Sequence, residues 1–141
     1  MTPNPTKADT FLLVDDEAGI LNALKRELHG WASDRFLKIV TASSAREGLK
    51  ILKERPGEIA VICSDLKMPE MLGSDFLLQV RETNPEIVTI LLTGFSEAAE
   101  VMKAVRAGIF SYILKPWDSE YLQSELAKAY DPASFEERIY E

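Results

Sequence analysis

A chain of 141 residues with a net charge of -7, 46% hydrophobic and 28% charged residues, has the size and composition of one ordinary globular domain with a single core. Apolar runs all fall well short of the roughly 18 residues of a membrane span, and no signal-peptide pattern marks the start, so a cytoplasmic protein outside the membrane is expected. The acidic balance argues against direct nucleic-acid binding, because neutralising phosphates takes clustered Lys and Arg.

Residues 1–9 include Pro3 and Pro5 with few apolar groups and read as a flexible lead-in. Residues 11–14 form a β-type run, followed by a helical stripe of Ile20, Leu21, Leu24 and Leu28 that Gly30 is expected to end. Residues 37–41 give a second strand. Ser44-Ala45-Arg46-Glu47 then forms a capping box opening a helix with Leu49, Ile51 and Leu52, stopped at Pro56-Gly57. Residues 59–63 are apolar throughout, and a loop containing Pro69 and Gly73 leads to a helix over 74–82 and the turn Asn84-Pro85. Residues 88–92 make a fourth strand, followed by a helix over 96–107 that Gly108 closes in a left-handed conformation. Residues 112–114 make a fifth, and after Pro116-Trp117-Asp118 a helix carries Leu122, Leu126 and Ala129. Strand-helix pairs thus fill a domain at 10–130. Residues 131–141, where Asp131-Pro132 has the form of a helix start, read equally as a tail or the start of a linker.

Strands without hydrophobic alternation are buried on both faces, which fits a parallel sheet covered by helices on each side. The expected fold is α/β, a doubly wound five-stranded parallel sheet of order 2-1-3-4-5; a closed barrel needs more strands. Ligands bind such sheets beyond the carboxyl ends of the strands. The residues there are Asp15 and Asp16, Asp65, Thr93 and Lys115.

Carboxylates gathered at one rim repel each other by on the order of 4 kcal/mol per pair at about 4 Å and an effective dielectric near 20. A hard divalent cation with oxygen ligands offsets that repulsion, and Mg²⁺ suits a site of few carboxylates that shares a phosphate oxygen. With Lys115 as a fixed charge, the set can stabilise a transferring phosphoryl group while one carboxylate attacks phosphorus. Taken singly, each residue also has a structural reading. Asp15-Asp16-Glu17 suits a helix N-terminus, Asp65 a turn, Thr93-Gly94 a loop and Lys115-Pro116 a strand exit. Their joint occurrence at the strand ends is what points to chemistry. Cys63 sits in an apolar run and reads as inert core, and His29 lacks any partner ligand at metal spacing and reads as a helix-end surface residue.

The motifs LLVDDE, SDLKMPEMLG, LLTG and SYILKP, in this order and spacing, resemble the receiver (response-regulator) family of bacterial two-component signalling, to which the chemotaxis response regulator belongs. The resemblance covers residues 10–130 and implies a flavodoxin-like (βα)5 fold. It implies that Asp65 is the phosphoacceptor and that the metal site comprises Asp16, Asp15 acting largely through metal-bound water, Asp65, and the backbone carbonyl of Lys67. It further implies that Thr93 and Lys115 contact phosphoryl oxygens, that Lys115-Pro116 is cis, and that Tyr112 is a switch aromatic. A core-edge tyrosine reads the same as a switch in sequence. Lys67 and Phe95 occupy the positions that tune phosphoryl lifetime in the family. KPWD followed by Leu122 is similar to receivers fused to metal-dependent phosphohydrolase or transcriptional output domains.

The function expected is that of a phosphoacceptor receiver that takes its phosphoryl group from a histidine kinase or phosphotransfer protein in a Mg²⁺-dependent reaction. It is a signalling domain whose only catalysis is of its own phosphorylation and dephosphorylation. The face formed by the fourth helix, fifth strand and fifth helix would carry the response to an output domain or downstream protein, and leaves room for a homodimer. One rival is a degenerate receiver serving as a constitutive docking module, which needs none of the five rim residues. Another is an aspartyl-phosphate phosphatase, which wants a second acid where Lys67 stands.

Overall fold

A computed structural model describes residues 8–94 and 98–131. The strands are β1 Thr10–Val14, β2 Lys38–Ala42, β3 Ile59–Asp65, β4 Val88–Thr93 and β5 Ser111–Leu114. They alternate with helices α1 Ala18–Ser33, α2 Ala45–Glu54, α3 Gly73–Thr83, α4 Ala98–Arg106 and α5 Ser119–Tyr130. The strands pair in parallel in the order β2-β1-β3-β4-β5, the flavodoxin-like topology expected. Most of the lead-in and the tail beyond Asp131 lie outside the described residues.

Side chains alternate across each strand, so one apolar run feeds two cores. Phe11, Leu13, Val61, Cys63, Ile90 and Leu92 pack against α1 and α5 through Leu24, Leu28, Leu122 and Leu126. Leu12, Val14, Ile62 and Leu91 face the other way, onto Phe76, Leu77 and Val80 of α3 and Val101 and Ala104 of α4. Each Val, Leu, Ile or Phe among them contributes about 1.5–3 kcal/mol when fully buried. The edge strands β2 and β5 are only partly covered, and Tyr112 and Leu114 face outward.

Local signals explain most boundaries. The Ser44 hydroxyl accepts from the Glu47 N–H at 3.1 Å, while the Glu47 carboxylate returns to the N–H and hydroxyl of Ser43, one residue beyond the usual box. Asp118 caps α5 by accepting from the Tyr121 N–H at 2.9 Å. Gly108 has the left-handed φ of 93° expected after α4.

Gly30 does not end α1, contrary to expectation. The helix continues to Ser33 because Trp31 and Ala32 are buried in the α1/α5 core, with the Trp31 ring edge-on to Phe11. The reversal falls instead at Phe36, with φ 57°, where the Leu37 N–H donates to the Ala32 carbonyl. Burying a large aromatic outweighs the roughly 1 kcal/mol cost of an interior glycine. β3 and β4 also run past residues 63 and 92, so Asp65 and Thr93 are the last residues of their strands.

Candidate functional site

The parallel register brings the strand-end residues to one rim. Asp65 is aligned with Leu92 and Thr93 with Leu114. The Lys115 N–H extends the ladder by donating to the Thr93 carbonyl at 2.8 Å, and the Asp15 N–H does so at β2, donating to Ala42 at 3.1 Å. Backbone pairing therefore fixes the Cα positions of Asp15, Asp65, Thr93 and Lys115 independently of their side chains.

Asp15, Asp65 and Thr93 are buried, while Asp16 is exposed. The Lys115 ammonium reaches across three strands to donate to Asp15 Oδ2 at 2.8 Å and Asp65 Oδ1 at 3.2 Å. The second oxygen of Asp15 accepts from the Glu17 N–H at 2.9 Å. Lys115-Pro116 is a cis peptide, as the resemblance implied.

One carboxylate oxygen from each of Asp15, Asp16 and Asp65 lies within 4.8 Å of the others. Three carboxylates facing one ammonium leave two negative charges uncompensated, on hard oxygen donors. That donor set and charge fit a divalent oxygen-liganded cation.

Electrostatics reflect the crowding. Burial, followed by the charge on Asp15, pushes the Asp65 carboxyl above its ordinary value, against the opposing pull of Lys115 and the Leu66 N–H. Burial pulls the Lys115 ammonium down, but its bond to Asp15 and the charges of Asp65 and Asp15 outweigh this and hold it above its ordinary value. Cys63, two residues before Asp65, is pushed up to about 12, first by burial and then by the charge on Asp15. At pH 8 the native thiol should therefore resist an aromatic disulfide reagent that reacts readily in urea, measured by the absorbance of the released thiolate. Reaction in native buffer at the urea rate would contradict an inert core cysteine.

Of the remaining sequence candidates, Tyr112 is 46% exposed on β5 and Lys67 is exposed in the β3–α3 loop. Phe95 lies outside the described residues. His29 is exposed on α1. Two residues escaped the sequence reading. In the sequence Gly73 reads only as a loop residue, yet it packs on the Asp65 carbonyl. Glu27 is one of several α1 surface charges with nothing to single it out, yet it receives the Trp117 indole N–H and the Ser119 hydroxyl.

The chain belongs to the response regulator receiver domain family, which it matches over residues 11–127. It is 39% identical over 87% of its length to the hydrogenase transcriptional regulatory protein HoxA of Cupriavidus necator, covering 24% of that protein. It is 32% identical over 84% of its length to the transcriptional regulatory protein ZraR of Escherichia coli, covering 26% of it. The chain thus spans about a quarter of the length of these relatives. Among solved structures it is similar to the signal receiver domain of an HD domain-containing protein from Pseudomonas fluorescens, at TM-score 0.83 and 28% identity over 97% of each chain. It is also similar to a response regulator receiver domain protein from Clostridium thermocellum, at TM-score 0.79 and 31% identity, over 90% of this chain and 98% of that one. It is a receiver domain of the two-component response-regulator type, a signalling module. No helix among the described residues is long and apolar enough to cross a membrane.

Proposed function

We propose that Asp65 accepts a phosphoryl group from the phosphohistidine of a partner kinase or phosphotransfer protein in the cytoplasm. The observation that carries this reading is the Lys115 ammonium lying 2.8 Å from Asp15 and 3.2 Å from Asp65, beside the three clustered carboxylates. An Asp65 oxygen forms a bond to phosphorus as the bond from phosphorus to the imidazole nitrogen breaks, its electron pair leaving with the imidazole. The product is an acyl phosphate on Asp65. Asp15, Asp16, Asp65 and the Lys67 carbonyl would hold Mg²⁺, which supplies positive charge against the phosphoryl oxygens. Lys115 adds a fixed charge in a buried site, where electrostatic stabilisation of the transition state is strongest. A docking module has no need of this buried charged set, and the phosphatase reading lacks an acid at Lys67.

Once Asp65 is modified, the Thr93 hydroxyl and Lys115 would bind phosphoryl oxygens, and Tyr112 would turn inward. Shifting a two-state switch from 1:99 to 99:1 takes roughly 5.5 kcal/mol, and two charge-assisted contacts are a source of much of that. The α4-β5-α5 face, with Val105, Phe110, Tyr112, Leu114 and Tyr121 exposed or partly exposed, would present the altered surface to an output domain, a downstream protein or a second copy. Lys67 and Phe95 would govern the access of hydrolytic water to the acyl phosphate.

Incubation with Mg²⁺ and acetyl phosphate is expected to add one phosphoryl group, located by mass spectrometry of borohydride-trapped peptides at Asp65. Chelation of Mg²⁺ should suppress it. Uptake at a different residue, or uptake indifferent to chelation, would refute the reading.

A further inference from the structure

We infer that Glu27 on α1 is a positioning residue for Lys115, clamping the β5–α5 loop so that the ammonium stays between Asp15 and Asp65. This rests on the reading that Lys115 serves the phosphoryl site. The two oxygens of the Glu27 carboxylate are divided between two donors, one on that loop and one at the first residue of α5. The Trp117 indole N–H reaches Oε2 at 2.5 Å and the Ser119 hydroxyl reaches Oε1 at 2.6 Å. Hydrogen bonds to a charged acceptor are about twice as strong as neutral ones.

The clamp matters because of what lies on either side of it. Upstream, the Lys115 N–H is tied to the Thr93 carbonyl at 2.8 Å. Downstream, α5 begins at Ser119 under the Asp118 cap. Only Pro116, Trp117 and Asp118 separate the rim lysine from the helix, and α1 grips the middle of that span at Trp117 and the start of α5 at Ser119. The Trp117 ring also packs on the α1/α5 core, which limits how far the loop can follow a loosened bond. The Lys115 side chain is a flexible four-carbon stem, so the direction of its loop decides whether the ammonium reaches both acids.

The test exploits the fact that Lys115 is bonded to two of the three carboxylates that would hold a cation, so its ammonium competes with the cation for their charge. Mg²⁺ binding is measured by calorimetry on the unaltered chain, E27A, E27Q, K115A and the E27A/K115A double variant. Freeing the ammonium should let E27A bind Mg²⁺ about threefold more tightly. General loosening of the fold, or mere loss of a negative charge, would weaken binding instead. E27Q should retain the original affinity, because its amide oxygen accepts from Trp117 and its amide nitrogen donates to the Ser119 hydroxyl. In the K115A background E27A should add nothing, since the group it positions is gone. Weaker or unchanged Mg²⁺ binding in E27A, or an equal effect with and without Lys115, would overturn the inference. Metal binding needs no phosphoryl acceptance, so the clamp stands or falls separately from the role of Asp65.

Discussion

Replacing Asp65 with asparagine should abolish phosphoryl uptake from acetyl phosphate and also change how stability depends on pH. The substitution preserves shape and removes the nucleophile: a neutral amide oxygen does not attack phosphorus at a useful rate. Lys115 keeps its 2.8 Å bond to Asp15, so the rim does not lose its cation. The stability effect follows from the position of Asp65, whose carboxyl burial and the Asp15 charge hold above its ordinary value. Between the ordinary and the raised value the folded state binds a proton that the unfolded state has released. Unfolding free energy therefore falls as pH rises through that window, and the loss persists above it. Asparagine has no such transition. In Mg²⁺-free buffer, urea unfolding should show the asparagine variant gaining on the unaltered chain as pH rises from acid to neutral. An unaltered chain that gained on the variant over that range would show the carboxylate to be stabilised by Lys115 more than it is penalised by burial and Asp15.

Sequence alone made the rim legible because strand ends in a doubly wound sheet are dictated by topology, and topology by the alternation of apolar runs and helical stripes. Asp15, Asp65, Thr93 and Lys115 meet for that reason. Boundaries were less legible where tertiary burial decided them. Gly30 carries a helix-stop signal, but Trp31 gains more from the core than the glycine loses. Asp65 and Thr93 are polar, so an apolar-run criterion stops short of them, although the ladder to β4 and β5 continues through both. The Glu27 bonds to Trp117 and Ser119 join residues 90 and 92 positions apart and follow no period. Such a pair is fixed by where α1 and α5 come to lie side by side, a property of the assembled core.

Gly73→Ala should be among the most damaging single-methyl changes in this chain. A Cβ at Gly73 would stand 1.9 Å from the Asp65 carbonyl oxygen, 2.8 Å from its carbonyl carbon and 2.9 Å from the Leu66 Cα. All three are backbone atoms, so no side chain can swing aside. The Gly73 N–H donates to the Leu66 carbonyl at 2.6 Å, and this contact closes the β3–α3 loop. Relief must come from one of two movements. If the end of β3 shifts, Asp65 leaves Lys115; if the start of α3 shifts, Phe76 and Leu77, both buried in the first two turns, are drawn from the core. The stability cost should be about 3 kcal/mol, the upper end for overpacking, read as a lower urea midpoint. Phosphoryl uptake by the still-folded protein should drop about a hundredfold, because a shift of about 1 Å at a reacting group costs that much. Gly19→Ala is the matched control: its Cβ would meet no atom within 4 Å on α1, and alanine there should be neutral or stabilising by up to about 1 kcal/mol. If the two variants behaved alike, the methyl at residue 73 would be accommodated without displacing Asp65, and the contact between the start of α3 and the phosphoacceptor would not be what holds the acid in place.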